Sequence, residues 1–477
     1  MSFESLAATG ASKIAMRNGK KLKKQGPAPV VPEEPPVRLH GEGFAVGFAR
    51  RETMPENIHA KKYWMAGYKT GNRVTGVHDP MTVSAMWIGC GDGGILLANA
   101  DCIGLSRCEV NRVRDSLAEF ARQANCVSIN ISCTHTHAAI DTLGYWGKPI
   151  LGPIPGNGRN AAFMDMFLQS IHDVCAAAYE NRREGKLYAG AVHVPGAQGG
   201  GRQPTVYHDV LGRIRFAPDD GSAETWLLNF AAHPNTLGGG NTSVSADYPY
   251  WLREKINEAR ETNVLFTVGA IASINAGEYC EGRFERTKIQ GEVLAKAALS
   301  IDNDERLAPE ITVLCQPYDS PIDNGVLALM GIIKTVNALR VSCARGGTGL
   351  ALRSEMTYLK LGKQRILLLP GEAKPEVVHG GYAPAETSAT GRGAEINPPP
   401  LCEIAGDENL LVFGVTNDMT GYIIAPNDFV LHGTEPYLSS GKDRHGTNHY
   451  HETNSLGYLT AETIAETFDK MMARAAC

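Results

Sequence analysis

The chain has 477 residues, 43% of them hydrophobic and 20% charged, with a formal net charge of −5. This balance describes an ordinary globular protein with enough chain for one large core or roughly two to three smaller ones. It lacks the basic footprint of a nucleic-acid binder or of a protein held on an acidic membrane surface. No apolar run approaches the ~18 residues of a bilayer span, so stable membrane insertion is not expected.

In chain order, residues 1–25 show no apolar stretch before a small-residue cleavage site, which predicts a cytoplasmic protein without a secretion signal. Lys13, Arg17, Lys20, Lys21, Lys23 and Lys24 form a basic patch, and residues 25–36 are rich in proline. Such a segment buries too little apolar surface to offset its ordering entropy, so residues 1–38 are expected to be a disordered tail and 39–477 a single domain. The 11 cysteines are scattered, with no CxxC pair. Cys90, Cys102, Cys126, Cys133 and Cys315 lie in or beside apolar runs, as thiols do when they pack as small hydrophobes in a reducing compartment.

From His40 onward, periodicity predicts strands over 83–88, 95–100, 127–131, 187–194, 226–231, 264–274, 311–316, 356–361, 366–369 and 410–415. Many are continuous apolar runs that need cover on both faces. Helices are predicted between them. Val110, Val113, Leu117 and Phe120 share a face over 107–123, as do Phe163, Met166, Phe167, Ile171 and Val174 over 161–181. Asp247 is placed to N-cap a helix with Pro249 in its first turn. Further helices run through Ile289, Val293, Leu294 and Ala297, and over 461–475. The alternation predicts an α/β (mixed α+β) fold of layered mixed sheets flanked by helices. Residues 236–246 and 374–409 are aperiodic, and the second stretch is read as a lid over the site or as a disordered excursion.

The polar residues fall in a pattern. The run 126–131 leads into Thr134-His135-Thr136-His137, where two imidazoles two residues apart in extended backbone project to one side. His233 follows 226–231, Glu278 follows 264–274, Glu372 follows 366–369, and Tyr422 comes soon after 410–415. Ligands bind at the carboxyl ends of strands in α/β sheets. Two histidines, a carboxylate and a tyrosine are therefore available to one zinc ion, which accepts such donors. Zinc-bound water has its pKa lowered to about 7, and a neighbouring histidine handles protons at that pH. Each residue also has a plain reading: His233 as a hydrogen-bonded loop residue, Glu372 as a cap, Tyr422 as a half-buried aromatic. A metallo-β-lactamase site is rejected, because the Asp-His pair it needs after its second histidine is Ala139-Ile140 here.

From about Gly43 to Gly457 these motifs resemble, in order, those of the neutral (non-lysosomal) ceramidase family. They are Val46-Gly47, Gly76-Val77-His78, Asn99-Ala100-Asp101, Thr134-His135-Thr136-His137, Gly201-Arg202-Gln203-Pro204, Phe230-Ala231-Ala232-His233, Pro370-Gly371-Glu372, the run Thr416 to Tyr422, and the run from Tyr450-His451-Glu452 to Gly457. The resemblance implies a zinc amidase with His135, His233, Glu372 and Tyr422 as metal ligands and His137 as proton carrier. It also implies Arg202 as oxyanion stabiliser or anchor for an anionic substrate, with His78 and Tyr450 as further catalytic candidates. Where the family has Asn-Ala-Gly-Asp-x-Ser, this chain has Asn275-Ala276-Gly277-Glu278-Tyr279-Cys280, so Cys280 is either a nucleophile or an inert small residue. Pro234-Asn235-Thr236 and the Gly/Pro-rich stretch after Glu372 also depart from the family, and its C-terminal β-sandwich is not expected.

The function expected is a zinc-dependent amidohydrolase that uses metal-activated water. Its substrate would be a small N-acyl, lactam or related amide rather than ceramide itself. A Cys280-dependent hydrolase or esterase and a non-catalytic zinc-containing binding protein are the alternatives. No nucleic-acid partner is expected, and a homo-oligomer is left open.

Overall fold

In the computed structural model, which describes residues 3–59, 62–150 and 155–476, the long apolar runs pair into two sheets. Among the described residues the larger sheet has nine strands. Their order is Thr262–Val268, Glu224–Phe230, Val210–Pro218, Arg183–His193, Phe44–Glu52, Thr82–Cys90, Gly93–Ala100 and Cys126–Cys133, with Glu305–Arg306 beside Arg183–His193. The smaller has six: Val37–His40, Glu310–Ile322, Leu350–Leu361, Gln364–Leu368 and Leu411–Phe413, with Arg340–Ser342 added to Leu350–Leu361. Most neighbours are antiparallel. The parallel pairs are Gly93–Ala100 with Cys126–Cys133, Glu224–Phe230 with Thr262–Val268, and Gln364–Leu368 with Leu411–Phe413.

Phe44, Val46, Met86 and Ile88 of the larger sheet meet Ile311, Val313, Leu359 and Ile366 of the smaller in one buried cluster, so the sheets pack face to face. Helices Ala161–Glu180, Tyr248–Ala259 and Arg283–Ser300 cover the outer face of the larger sheet through Phe163, Phe167, Leu252, Ile256 and Leu294. Helix Thr460–Ala475 covers the smaller through Ile464, Phe468 and Met471. Strands such as Thr82–Cys90 are buried along their whole length, which is why their sequences are unbroken apolar runs. The expected mixed α+β class is the one the chain forms.

Element ends differ from the periodic reading where a run signals burial rather than extension. The strand predicted over 264–274 stops at Val268; Gly269 N–H donates to the Phe230 carbonyl, and the chain turns before Ile274–Ala276. The helix predicted over 107–123 divides at Leu117. Asp247 does cap its helix, accepting from Tyr248 N–H. Phe44–Glu52 and Val210–Pro218 were not predicted, since Arg50, Arg51, Arg213 and Arg215 interrupt their apolar pattern.

The largest correction concerns the expected tail. Phe3–Gln25 is a helix, and Ser5, Ala8, Ala11, Ala15 and Gly19 make its buried stripe. It docks on the helix Gly325–Ile332 so closely that a Cβ on Gly325 would stand 2.7 Å from Ser12 Cα. Small side chains gain their contacts by proximity rather than bulk, so neither composition nor an apolar stripe reveals this packing. Residues 374–409 are also ordered: short helices Pro375–His379 and Leu401–Ala405 place Val377, Val378 and Leu401 in the core beside the smaller sheet.

Candidate metal centre

The two histidines do not lie in extended backbone. Strand Cys126–Cys133 ends before them, and His135 adopts φ 61°. Thr134 N–H donates to the Ala100 carbonyl at 3.0 Å and Cys133 N–H to that of Val415 at 3.0 Å, which pins this turn between the two sheets. Val415 and Asn417, at φ 48° and 64°, bring further left-handed non-glycine residues to the same junction. Such conformations persist only where surrounding structure enforces them, and they cluster at functional sites.

His135 Nδ1 lies 2.7 Å from the Ile103 carbonyl oxygen, and His233 Nδ1 lies 2.9 Å from that of Ile274. A carbonyl only accepts, so each Nδ1 carries the proton and each Nε2 presents a lone pair. Glu372 Oε2 stands 2.9 Å from His233 Nε2 and 3.3 Å from His135 Nε2. Glu372 is in parallel register with Tyr422, which is how the expected tyrosine reaches the carboxylate. The ligand nitrogens of His135, His137 and His233 all lie within 4.8 Å of one another, a group that can hold a metal ion.

The electrostatics point the same way. Burial pushes the Glu372 carboxyl up, and positive charge shared with His135 and His233 outweighs it and holds it well below the usual carboxylate range. Burial, reinforced by His135 and His233, holds His137 well below the ordinary histidine value, so it is neutral. Neither of its ring nitrogens completes a hydrogen bond among the described residues. Burial, then Glu372 and Tyr450, pushes the Tyr422 phenol well above its ordinary value. Gly67, at φ +103°, passes so near His137 that a Cβ there would lie 2.6 Å from the histidine Cβ. Two imidazole lone pairs directed at one carboxylate oxygen repel it unless a proton or cation stands between them. A divalent ion suits this donor set.

A cavity of about 280 Å³ opens on His135, His137, Glu372 and Tyr422, with Tyr68, Ile103, Leu143, Tyr145, Trp146, Met330 and Met419 among its walls. These apolar residues come from scattered segments, and no spacing rule in the sequence groups them. No residue of 374–409 lines this cavity, so the lid expectation is corrected: that stretch packs against the smaller sheet instead.

Other candidates fall elsewhere. Arg202 is buried, with Nη2 2.5 Å from Asp428 Oδ2 and Nη1 3.2 Å from Glu452 Oε2, and does not line the cavity. Its expected anion-anchoring role gives way to an internal ion cluster, because both Nη groups already hold carboxylates. His78 stacks on Phe284 at 4.1 Å and bonds Asp79 at 2.7 Å. Cys280 Sγ faces the Gly282 carbonyl at 3.5 Å. Neither His78 nor Cys280 lines the cavity. Tyr450 stands 6.2 Å from Tyr422, ring to ring. His451, next to Tyr450 in the same motif, is 1% exposed, lies 4.5 Å from the Tyr422 ring and leaves Nε2 without a partner among the described residues.

No protein-family model matches the chain, and no curated protein is detectably similar to it in sequence. Solved structures are similar. Neutral ceramidase from Pseudomonas aeruginosa aligns with a TM-score of 0.67 and 13% identity, covering 91% of this chain and 75% of that one. A ceramidase complexed with C2 aligns with a TM-score of 0.65 and 13% identity, covering 91% of this chain and 76% of that one. The chain has the fold of neutral ceramidase. Within this ceramidase fold, His135, His233 and Glu372 each follow the carboxyl end of a strand in a parallel pair, the edge where α/β sheets bind ligands. No described helix is long and apolar enough to cross a membrane.

Proposed function

We propose that the protein is a zinc-dependent amidohydrolase that cleaves the C–N bond of an N-acyl or lactam substrate. The observation that supports this reading most is the cluster of His135, His137, His233 and Glu372, three of whose members, His135, His137 and Glu372, open on an apolar cavity within a ceramidase fold. His135 and His233 would hold the ion through Nε2, Glu372 through its carboxylate and Tyr422 through its hydroxyl, a donor set suited to zinc. When bound, zinc supplies Lewis-acid polarisation of the scissile carbonyl and a water acidic enough to ionise near neutral pH.

The chain's own residues supply the rest. The Ile103 and Ile274 carbonyls fix the tautomer and aim of the two ligand imidazoles. His137, neutral and with both nitrogens free, accepts a proton and delivers it to the leaving amine. The apolar walls hold the acyl portion and exclude bulk water. Cys280 takes no part in this reading.

Metal analysis of purified wild type and His135→Ala tests it, alongside hydrolysis of a panel of N-acyl amides, lactams and ceramide. Wild type should carry stoichiometric zinc, and His135→Ala should lose both the metal and about a hundredfold or more in rate. Metal-free wild type that is equally active in chelator would overturn the reading. Stoichiometric zinc with no turnover of the panel would identify a binding protein.

A further inference from the structure

A second, smaller cavity of about 50 Å³ shares Leu143, Tyr145, Leu327, Met419 and Thr420 with the first. His135, His137 and Glu372 line only the first, whereas Arg340 lines only the second. Arg340 is rooted in the smaller sheet, where it pairs with Leu352 across Arg340–Ser342 and Leu350–Leu361. Its Nε and Nη1 are closed off from solvent and have no hydrogen-bond partner among the described residues.

This is exceptional in its surroundings. Arg353 is paired with Asp319, and Arg107 and Arg114 with Glu355. The carboxylate that lines the same cavity, Asp418, accepts from the Ser354 hydroxyl at 2.8 Å and Arg107 N–H at 3.0 Å rather than from Arg340. Burial pulls the Arg340 guanidinium below its ordinary pKa, and no charged group among the described residues offsets it. A guanidinium with two buried, unpaired nitrogens is unfavourable until an acceptor meets it, and its planar fork matches a carboxylate.

We propose that Arg340 forms an anion subsite in the extension of the substrate cavity, so that the amide cleaved here carries a carboxylate on the portion remote from the scissile bond. The proposal rests on the amidohydrolase reading for its substrate and on Arg340 alone for its anion.

Hexanoate, an aliphatic chain ending in a carboxylate, serves as the binding probe, titrated calorimetrically into full-length wild type, His135→Ala, Arg340→Gln and Arg340→Met. Binding should survive His135→Ala and weaken about tenfold or more in both Arg340 variants. Failure to bind wild type, equal affinity in either Arg340 variant, or loss of binding in His135→Ala would each overturn the subsite. The 4-nitroanilides of hexanoic and adipic acid then address the substrate. Wild type should favour the adipic anilide in kcat/KM by about tenfold or more, and the preference should collapse toward parity in Arg340→Gln. Hydrolysis without preference overturns the substrate assignment. Arg340-dependent hexanoate binding with hydrolysis of neither anilide keeps the subsite and overturns the substrate assignment, and the amidohydrolase reading falls with it where the wider amide and lactam panel is not turned over either.

Discussion

Two buried polar clusters near the junction of the sheets look alike in composition and differ in completeness. In the first, Arg202 bonds Asp428 and Glu452, Lys374 bonds Asp428 and Glu376, and His449 bonds Glu452 and Asp443. Among the described residues, Arg202 Nη1 and Nη2 have partners and Nε has none. In the second, two imidazole lone pairs face one carboxylate oxygen, and neither nitrogen of His137 is engaged among the described residues. Burial of charge is therefore a poor guide to function in this molecule. Missing partners are a better one, because a buried polar atom left unpaired is costly unless something else meets it.

The sharpest test of that distinction sets Arg202→Met against His135→Ala. Arg202→Met removes the guanidinium that Asp428 and Glu452 share, leaving Lys374 on Asp428 and His449 on Glu452, and should cost about 3 kcal/mol of stability. Urea unfolding measures it, and metal content under native conditions should stay at the wild-type level. His135→Ala should show the converse, with metal lost and stability of the metal-free form little changed. If Arg202→Met loses its metal while unfolding at the wild-type midpoint, the two clusters are not divided as described.

A smaller effect is expected where the helix Phe3–Gln25 meets Gly325–Ile332. Gly325→Ala pushes a methyl group against the Ser12 backbone and should cost about 1–3 kcal/mol. Val326, Leu327 and Met330 of the same short helix line the cavity, so a rise in KM should accompany the loss while metal content is unchanged. Hydrogen exchange over Phe3–Gln25 would show whether the helix has lifted; protection equal to wild type would mean the docking does not depend on this contact.

How much of this was legible in the sequence depended on the kind of signal. Continuous apolar runs marked most of the sheet strands, because full burial demands apolar side chains on both faces. The order of the polar residues after those runs placed His135, His137, His233, Glu372 and Tyr422 together. The parallel register of Glu372 with Tyr422 and the turn at His135 supply the geometry that spacing could not. What escaped depends on proximity. The stripe of Ser5, Ala8, Ala11, Ala15 and Gly19 has no bulk to detect, and the cavity walls are drawn from distant segments. Arg202 was legible as a charged residue in a family-like motif, but its partners Asp428 and Glu452 lie more than 200 positions away.

The smallest effect expected at neutral pH concerns a third cluster. His379 stacks on His208 with ring centroids 3.6 Å apart and planes 7° from parallel, tying the 374–409 stretch to the segment before Val210. Among the described residues, no further donors complete a metal group there, so close imidazoles alone do not make a second centre. Burial, then the neighbouring His208, lowers the His379 pKa to about 3, whereas an unfolded histidine titrates near 6.5. Below that value the unfolded chain binds more protons than the folded one. The stack's contribution is therefore complete above about pH 6.5 and falls progressively as pH drops toward 3. His379→Phe keeps an aromatic ring in the stack and removes the titration of His379, leaving the smaller one of His208. Its stability should match wild type within about 0.5 kcal/mol at pH 7.5 and exceed it at pH 4.5. The difference between the two proteins cancels the acid loss they share through Glu372 and Asp428, whose carboxyls the fold holds low. Parallel loss of stability in both proteins between those pH values would show that this stack is not a source of acid lability.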